Sequence, residues 1–116
     1  MNVINDDYYY YYHLNEDHTY QPCDALTWVK QFQNENIHVG DDIINDFRVS
    51  TVWLGTNHNH SLGAPILFET MVFNTRINKY SDEYCRRYTT WDEALEGHQK
   101  AIQWVKDIGK DNESTY

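Results

Sequence analysis

Two strand-like runs separated by a polar loop constrain this chain more than any other feature. From Val49 to Thr56, the residues Val49, Thr51, Trp53 and Gly55 alternate with Ser50, Val52, Leu54 and Thr56. β-Branched and aromatic side chains in both sets suit a pleated strand, and apolar residues in both sets imply a strand covered on both faces. From Ile66 to Phe73 the signal returns, with Leu67, Glu69, Met71 and Phe73 opposite Ile66, Phe68, Thr70 and Val72. The two runs are expected to be the central pair of a sheet. Between them, Asn57-His58-Asn59-His60 packs two imidazoles and two amides into four residues, which makes this loop the first candidate site.

The size of the chain, 116 residues with 41% hydrophobic and 16% aromatic side chains, suits one domain with an ordered core rather than a disordered segment. Residues 1–7 and 110–116 are expected to be loose. Nine basic against eighteen acidic side chains give a formal charge of −9, which repels a phosphate backbone unless the cations gather on one face. They are spread from Lys30 to Lys110, so direct nucleic-acid binding is disfavoured. The acidity permits a basic protein partner or mimicry of nucleic acid, and it also serves plain solubility. Cys23 and Cys85 are too few for a disulfide framework. The opening MNVINDDYYYYY has no apolar leader-like region, and no stretch approaches the roughly 20 apolar residues of a membrane span. A cytoplasmic protein with free thiols and no membrane segment is expected, and a dimer is one state its composition allows.

Five tyrosines, Tyr8 to Tyr12, open the folded part and favour a strand. Alternation places Tyr8, Tyr10 and Tyr12 on one side and Tyr9, Tyr11 and His13 on the other, one set inward and the other outward. The outward set, Tyr9 and Tyr11, or Tyr8 and Tyr10 in the reversed register, is the second candidate site. Pro22-Cys23-Asp24 then introduces a helix from Asp24 to about Asn34, whose stripe is Ala25, Trp28, Val29 and Phe32, with Gln31 outside it. Asn34 to Asp46 reads as a solvated acidic loop. Glu83 to Tyr88 is a third strand paired back on Ile66 to Phe73. A second helix follows, started by a Thr90/Glu93 capping box and stopped near Gly109, with Ala94, His98, Ala101, Ile102, Val105 and Ile108 buried. The predicted fold is α+β, in the order β-α-β-β-β-α, with both helices on one face of an antiparallel sheet.

The residues offer chemistry without a complete catalytic set. His58 and His60 could hold zinc if His98, Cys85 or a carboxylate completed the ligands, but the spacing fits no strong zinc pattern. Cys23 at a helix start could be an activated thiol, although no partnering histidine pattern accompanies it. Glu69 reads as an outward strand residue and His98 as a buried, hydrogen-bonded histidine. His58, directly after a central strand, is expected to hold its loop closed. Neither a phosphate loop nor a hydrolase elbow occurs. No cofactor or metal is expected, and the binding candidates are Asn57, His58, Asn59, His60, Tyr9, Tyr11 and His98.

Three stretches carry a resemblance. Val49-Ser50-Thr51-Val52-Trp53-Leu54-Gly55-Thr56-Asn57-His58, then Leu67-Phe68-Glu69-Thr70-Met71-Val72-Phe73, then Arg87-Tyr88-Thr89-Thr90-Trp91-Asp92-Glu93-Ala94-Leu95-Glu96-Gly97-His98 resemble a family of small tailed-phage and prophage proteins. That family's pattern runs VSTVFLGLDH, LLFETMVF and RYSTWDEAEAGH. The likeness covers about the last 70 residues. It departs at Thr56-Asn57, where the pattern has Leu-Asp, and leaves the tyrosine run and His60 unmatched. The resemblance implies a phage context and no particular chemistry. In that context the expectation is a non-enzymatic accessory protein that binds and modulates a host or phage protein, with counter-defence against CRISPR-Cas effectors as one role. The alternative is a small ligand- or metal-binding domain with hydrolytic activity.

Overall fold

The computed structural model describes residues 8–77 and 79–114, with side chains described for 8–77 and 84–109. The chain begins with β1 (Tyr12–Leu14), β2 (Tyr20–Pro22) and α1 (Ala25–Asn34). It continues through β3 (His38–Ile44), β4 (Phe47–Trp53), β5 (Phe68–Asn74) and β6 (Lys79–Tyr88), and ends with α2 (Trp91–Ser114). β1 and β2 form a small hairpin, and the other four strands form an antiparallel sheet in the order β3-β4-β5-β6. This is an α+β fold, with β4 and β5 as its central pair, in agreement with the sequence reading. No helix among the described residues is long and apolar enough to cross a membrane.

β4 and β5 lie in a register that pairs Val49 with Val72, Thr51 with Thr70 and Trp53 with Phe68. All six side chains are buried on the face that α2 crosses, where Ala94, His98, Ala101 and Val105 meet them. The opposite face carries no helix among the described residues, so the expected two-sided cover is a one-sided one. The sequence misleads here because half-exposed Val52, Met71 and Phe73 are as apolar as core residues.

The acidic segment read as a loop is β3, an edge strand. An edge strand needs cover on one side only and tolerates charge: Asp41 pairs with Arg48, and Asp42 turns to His98. The two-residue link Asn45-Asp46, with Asn45 at φ 56°, joins Ile44 to Phe47 as a tight hairpin.

α1 starts where expected, with Asp24 accepting from the Thr27 N–H, and it packs on the β1 hairpin. Its buried residue is Gln31 (5% exposed), not the predicted stripe; Ala25 and Phe32 are exposed. The Gln31 amide donates to the Leu14 carbonyl at 2.8 Å and accepts from the Leu14 N–H at 2.9 Å, replacing a strand neighbour that β1 lacks on that side.

The capping box of α2 forms as predicted. Glu93 accepts from the Thr89 and Thr90 N–H groups, and Thr90 Oγ1 accepts from the Glu93 N–H. The helix does not stop at Gly109 but runs on to Ser114. Residues 1–7 and 115–116, expected to be loose, lie outside the described residues.

Two glycines set how closely α2 approaches the sheet. A Cβ at Gly40 would stand 2.7 Å from the His98 ring, and one at Gly97 would collide with the Tyr88 phenol. Gly109, by contrast, meets nothing nearer than an Asn45 amide at 4.0 Å. Gly97→Ala should therefore cost about 1–3 kcal/mol by overpacking. Gly109→Ala should gain about 0.5–1 kcal/mol by restricting the unfolded chain and favouring helix. Urea unfolding of both variants checks the contrast, and a stable Gly97→Ala protein would refute the close approach.

Candidate functional site

The candidate residues fall into two separate places. At one end of β4, the chain turns through Gly55 and Thr56, and Tyr11 bridges to Thr56. Asn57 is buried here and fixes both segments. Its N–H donates to the Tyr10 carbonyl at 2.8 Å and its side-chain amide to the Tyr9 carbonyl at 3.2 Å. Its side-chain carbonyl accepts from the N–H groups of Asn59 and Ile66, and its backbone carbonyl accepts from the Tyr8 hydroxyl at 2.6 Å. Thus Asn57, not His58, holds the loop closed. An amide with two donors and a two-lone-pair acceptor satisfies several backbone groups at once.

Asn57 holds Tyr9 and Tyr10 by their backbone carbonyls and Tyr8 by its hydroxyl, and the three tyrosines do not alternate as a strand. All three are about half exposed, at 46%, 49% and 44%. Tyr11 is not in the outward set: its ring lies against Trp28 with centroids 5.4 Å apart. Tyr12 is buried, and burial raises its phenol above the ordinary value.

The loop histidines do not converge on a metal. His58 is half-buried, with Nε2 3.2 Å from Thr56 Oγ1, while His60 is exposed. Asn59 closes the outer turn by donating to the Ala64 carbonyl and accepting from Ser61. His98 and Cys85 do not join them, since His98 faces α2's side of the sheet and Cys85 the open side. Among the described residues, no three His, Cys, Asp or Glu side chains gather to hold a metal. Burial, followed by the neighbouring Arg87 charge, pushes the His58 imidazole below its ordinary 6.5, with Glu69 opposing. The two cysteines are not activated. Burial raises Cys23 despite its place before α1, and burial with the Glu69 carboxylate raises Cys85. Glu69 faces outward as expected, 2.9 Å from Arg87.

His98 anchors the second place, a line of polar groups through the core. Its Nε2 lies 2.7 Å from Asp42 Oδ2 and its Nδ1 2.7 Å from Thr51 Oγ1. Thr51 Oγ1 is 2.5 Å from Thr70 Oγ1, and the Tyr88 hydroxyl donates to Thr70 at 3.1 Å. One proton arrangement satisfies every member: Tyr88 donates to Thr70, Thr70 to Thr51, Thr51 to His98 Nδ1, and His98 Nε2–H to the carboxylate. Hydroxyl, imidazole and carboxylate stand here in the order of a nucleophilic triad, but inside out. Thr51 is 0% exposed while the Asp42 side chain is 53% exposed, so the would-be nucleophile is sealed and the orienting acid faces solvent. The arrangement suits cohesion of helix and sheet rather than attack on a substrate.

Sequence reading placed His98 in the core but missed Asp42, Thr51, Thr70 and Tyr88. The available signal was polar residues on inward positions of four strands, which must partner one another and His98. No protein-family model matches the chain, and neither a curated protein nor a solved structure matches it.

Two measurements test this geometry. Thr51→Val removes the link between Thr70 and His98 and should cost about 1–3 kcal/mol by stranding buried polar groups, whereas Thr51→Ser keeps the link and should cost about 1 kcal/mol for one methyl; equal losses in urea would refute the chain. For His58, a folded pKa below the unfolded 6.5 means stabilisation that is present above that value and lost as pH falls through the folded pKa. The melting temperature should thus drop on acidification from about pH 7 toward about pH 5, and His58→Gln should flatten that slope.

Proposed function

We propose that this chain is a non-enzymatic phage-type accessory protein that binds a host protein through the ridge Tyr8–Tyr9–Tyr10, in the host cytoplasm. Counter-defence is the role that fits best, with a CRISPR-Cas effector as the class of target. The observation that carries this reading is three consecutive half-exposed tyrosines on a backbone already pinned by Asn57. Tyrosine is enriched among interface anchors because it supplies large area with few torsions to freeze, and a pinned backbone reduces the ordering cost further. The acidic surface adds steering toward a basic partner. The three phage-like stretches support the context, and the sealed Thr51 favours binding over hydrolysis.

Tyr9→Ser/Tyr10→Ser spares the Tyr8 bond to Asn57 and should leave the melting temperature within about 2 °C, as expected for surface positions. Wild-type protein immobilised without a histidine tag should retain a stoichiometric partner from bacterial lysate, and the double variant should lose it at least about tenfold, the loss of roughly 1.4 kcal/mol or more typical of an anchor. Equal retention by both proteins would refute the ridge as the binding surface.

A further inference from the structure

The face of the four-stranded sheet that α2 does not cover has the composition of an interface. Its centre is half-exposed Met71, paired with the small, buried Ser50 on β4, with half-exposed Val52 and Phe73 along the same strands. On β3, Ile43 stands 70% exposed next to Arg48. Two ion pairs flank this apolar strip: Arg48 grips Asp41 with two bonds of 2.8 Å, and Arg87 holds Glu69 at 2.9 Å. The Arg48 guanidinium also lies 5.9 Å from the centre of the Phe73 ring. An apolar centre with a rim of paired charges is the usual anatomy of a protein contact.

Charge indicates what covers it. The chain has nine basic and eighteen acidic side chains, yet this face holds two arginines against two carboxylates among its described residues. Among its described residues the face is therefore neutral, while the chain as a whole carries −9. A strongly basic partner would find its complement elsewhere on the molecule. A second copy, repelled over the rest of the surface, meets no net repulsion here, and a face bearing both signs in equal number can complement itself across a two-fold axis.

We infer that this open face is a self-association surface, on which two copies pack sheet against sheet as an isologous sandwich. This surface is distinct from the tyrosine ridge and independent of the reading proposed for it. Four strands spaced by about 4.8 Å and seven residues long present roughly 400 Å² a side. Two such faces bury roughly 800 Å² together, below the roughly 1,000 Å² of a stable specific interface, so the dimer is a weak, concentration-dependent one.

Salt separates this from a basic partner. Screening relieves repulsion between two acidic copies, so the dimer strengthens with salt, whereas attraction to a cationic partner weakens. Sedimentation of the 13.9 kDa chain, from roughly 10 μM to roughly 1 mM at low and raised salt, should show mass rising toward two copies, more so at raised salt. Ile43→Lys and Met71→Lys should remain monomeric under the same conditions. Each lowers the net negative charge, so repulsion alone would predict the opposite. Leu95→Lys, 43% exposed on α2 across the sheet from this face, should dimerise as the wild type does, and Tyr9→Ser/Tyr10→Ser should as well. Because Ile43 is largely exposed, its variant folds even if Met71→Lys does not. A wild type that stays monomeric throughout would overturn the inference, as would Ile43→Lys dimers matching the wild type. Capture of poly-lysine by the wild type but not by Ile43→Lys, weakened by salt, would overturn it in favour of a basic partner.

Discussion

The polar chain from Tyr88 to Asp42 fixes the distance and the rotation of α2 on the sheet, and much of the remaining structure is referred to that helix. A buried imidazole and two buried threonine hydroxyls oppose folding unless each is bonded. Only one seating of α2 aligns His98 between Thr51 and Asp42, and turning the helix by one residue would carry the ring about 100° away from both. Gly40 and Gly97 remove the two side chains that would prevent this seating. With α2 so placed, its first turn becomes the dock for the small hairpin. His18, at φ 71°, stacks on Trp91 with centroids 3.6 Å apart, and the Tyr20 hydroxyl reaches the Thr89 carbonyl at 2.8 Å. The hairpin in turn brings the Tyr20 ring to Trp53, with centroids 6.0 Å apart, and adds Tyr12 to the same buried cluster.

Sequence periodicity revealed the elements whose burial repeats along one face. β4, β5, the last strand and the stripe of α2 were legible because most of their described inward residues are apolar, and the Thr90/Glu93 capping box because it is a local signal. Three things were not legible. β3 carries charge where an inner strand would carry valine, since its partners are Arg48 and His98 rather than apolar side chains. Gln31 is buried for its amide, which a hydrophobic pattern counts as surface. The open face of β4 and β5 resembles core in composition through Val52, Met71 and Phe73, and no local pattern distinguishes residues covered by the chain's own helix from residues left half-exposed. The candidate loop was legible as a concentration of polar residues, but not which of them organises it: Asn57 and His58 are adjacent and equally polar, and only the long-range bonds to Tyr9 and Tyr10 tell them apart.

The bonds that Asn57 and Gly55 make to residues 10–12 also create a seam in the fold. The strands β3 to β6 are sequential neighbours, and every member of the polar chain lies between Asp42 and His98. Docking the tyrosine segment instead closes a span of some 45 residues, an entropic cost that local hairpins avoid. Residues 8–22 can unlatch while the sheet and α2 keep all their internal bonds, a local opening short of global unfolding. A ligand that grips the tyrosines only in their docked position shifts that opening equilibrium toward closure. Its binding would register as slowed amide exchange at Tyr12 and Asn57, whose N–H groups span the seam, with little change within β4 and β5.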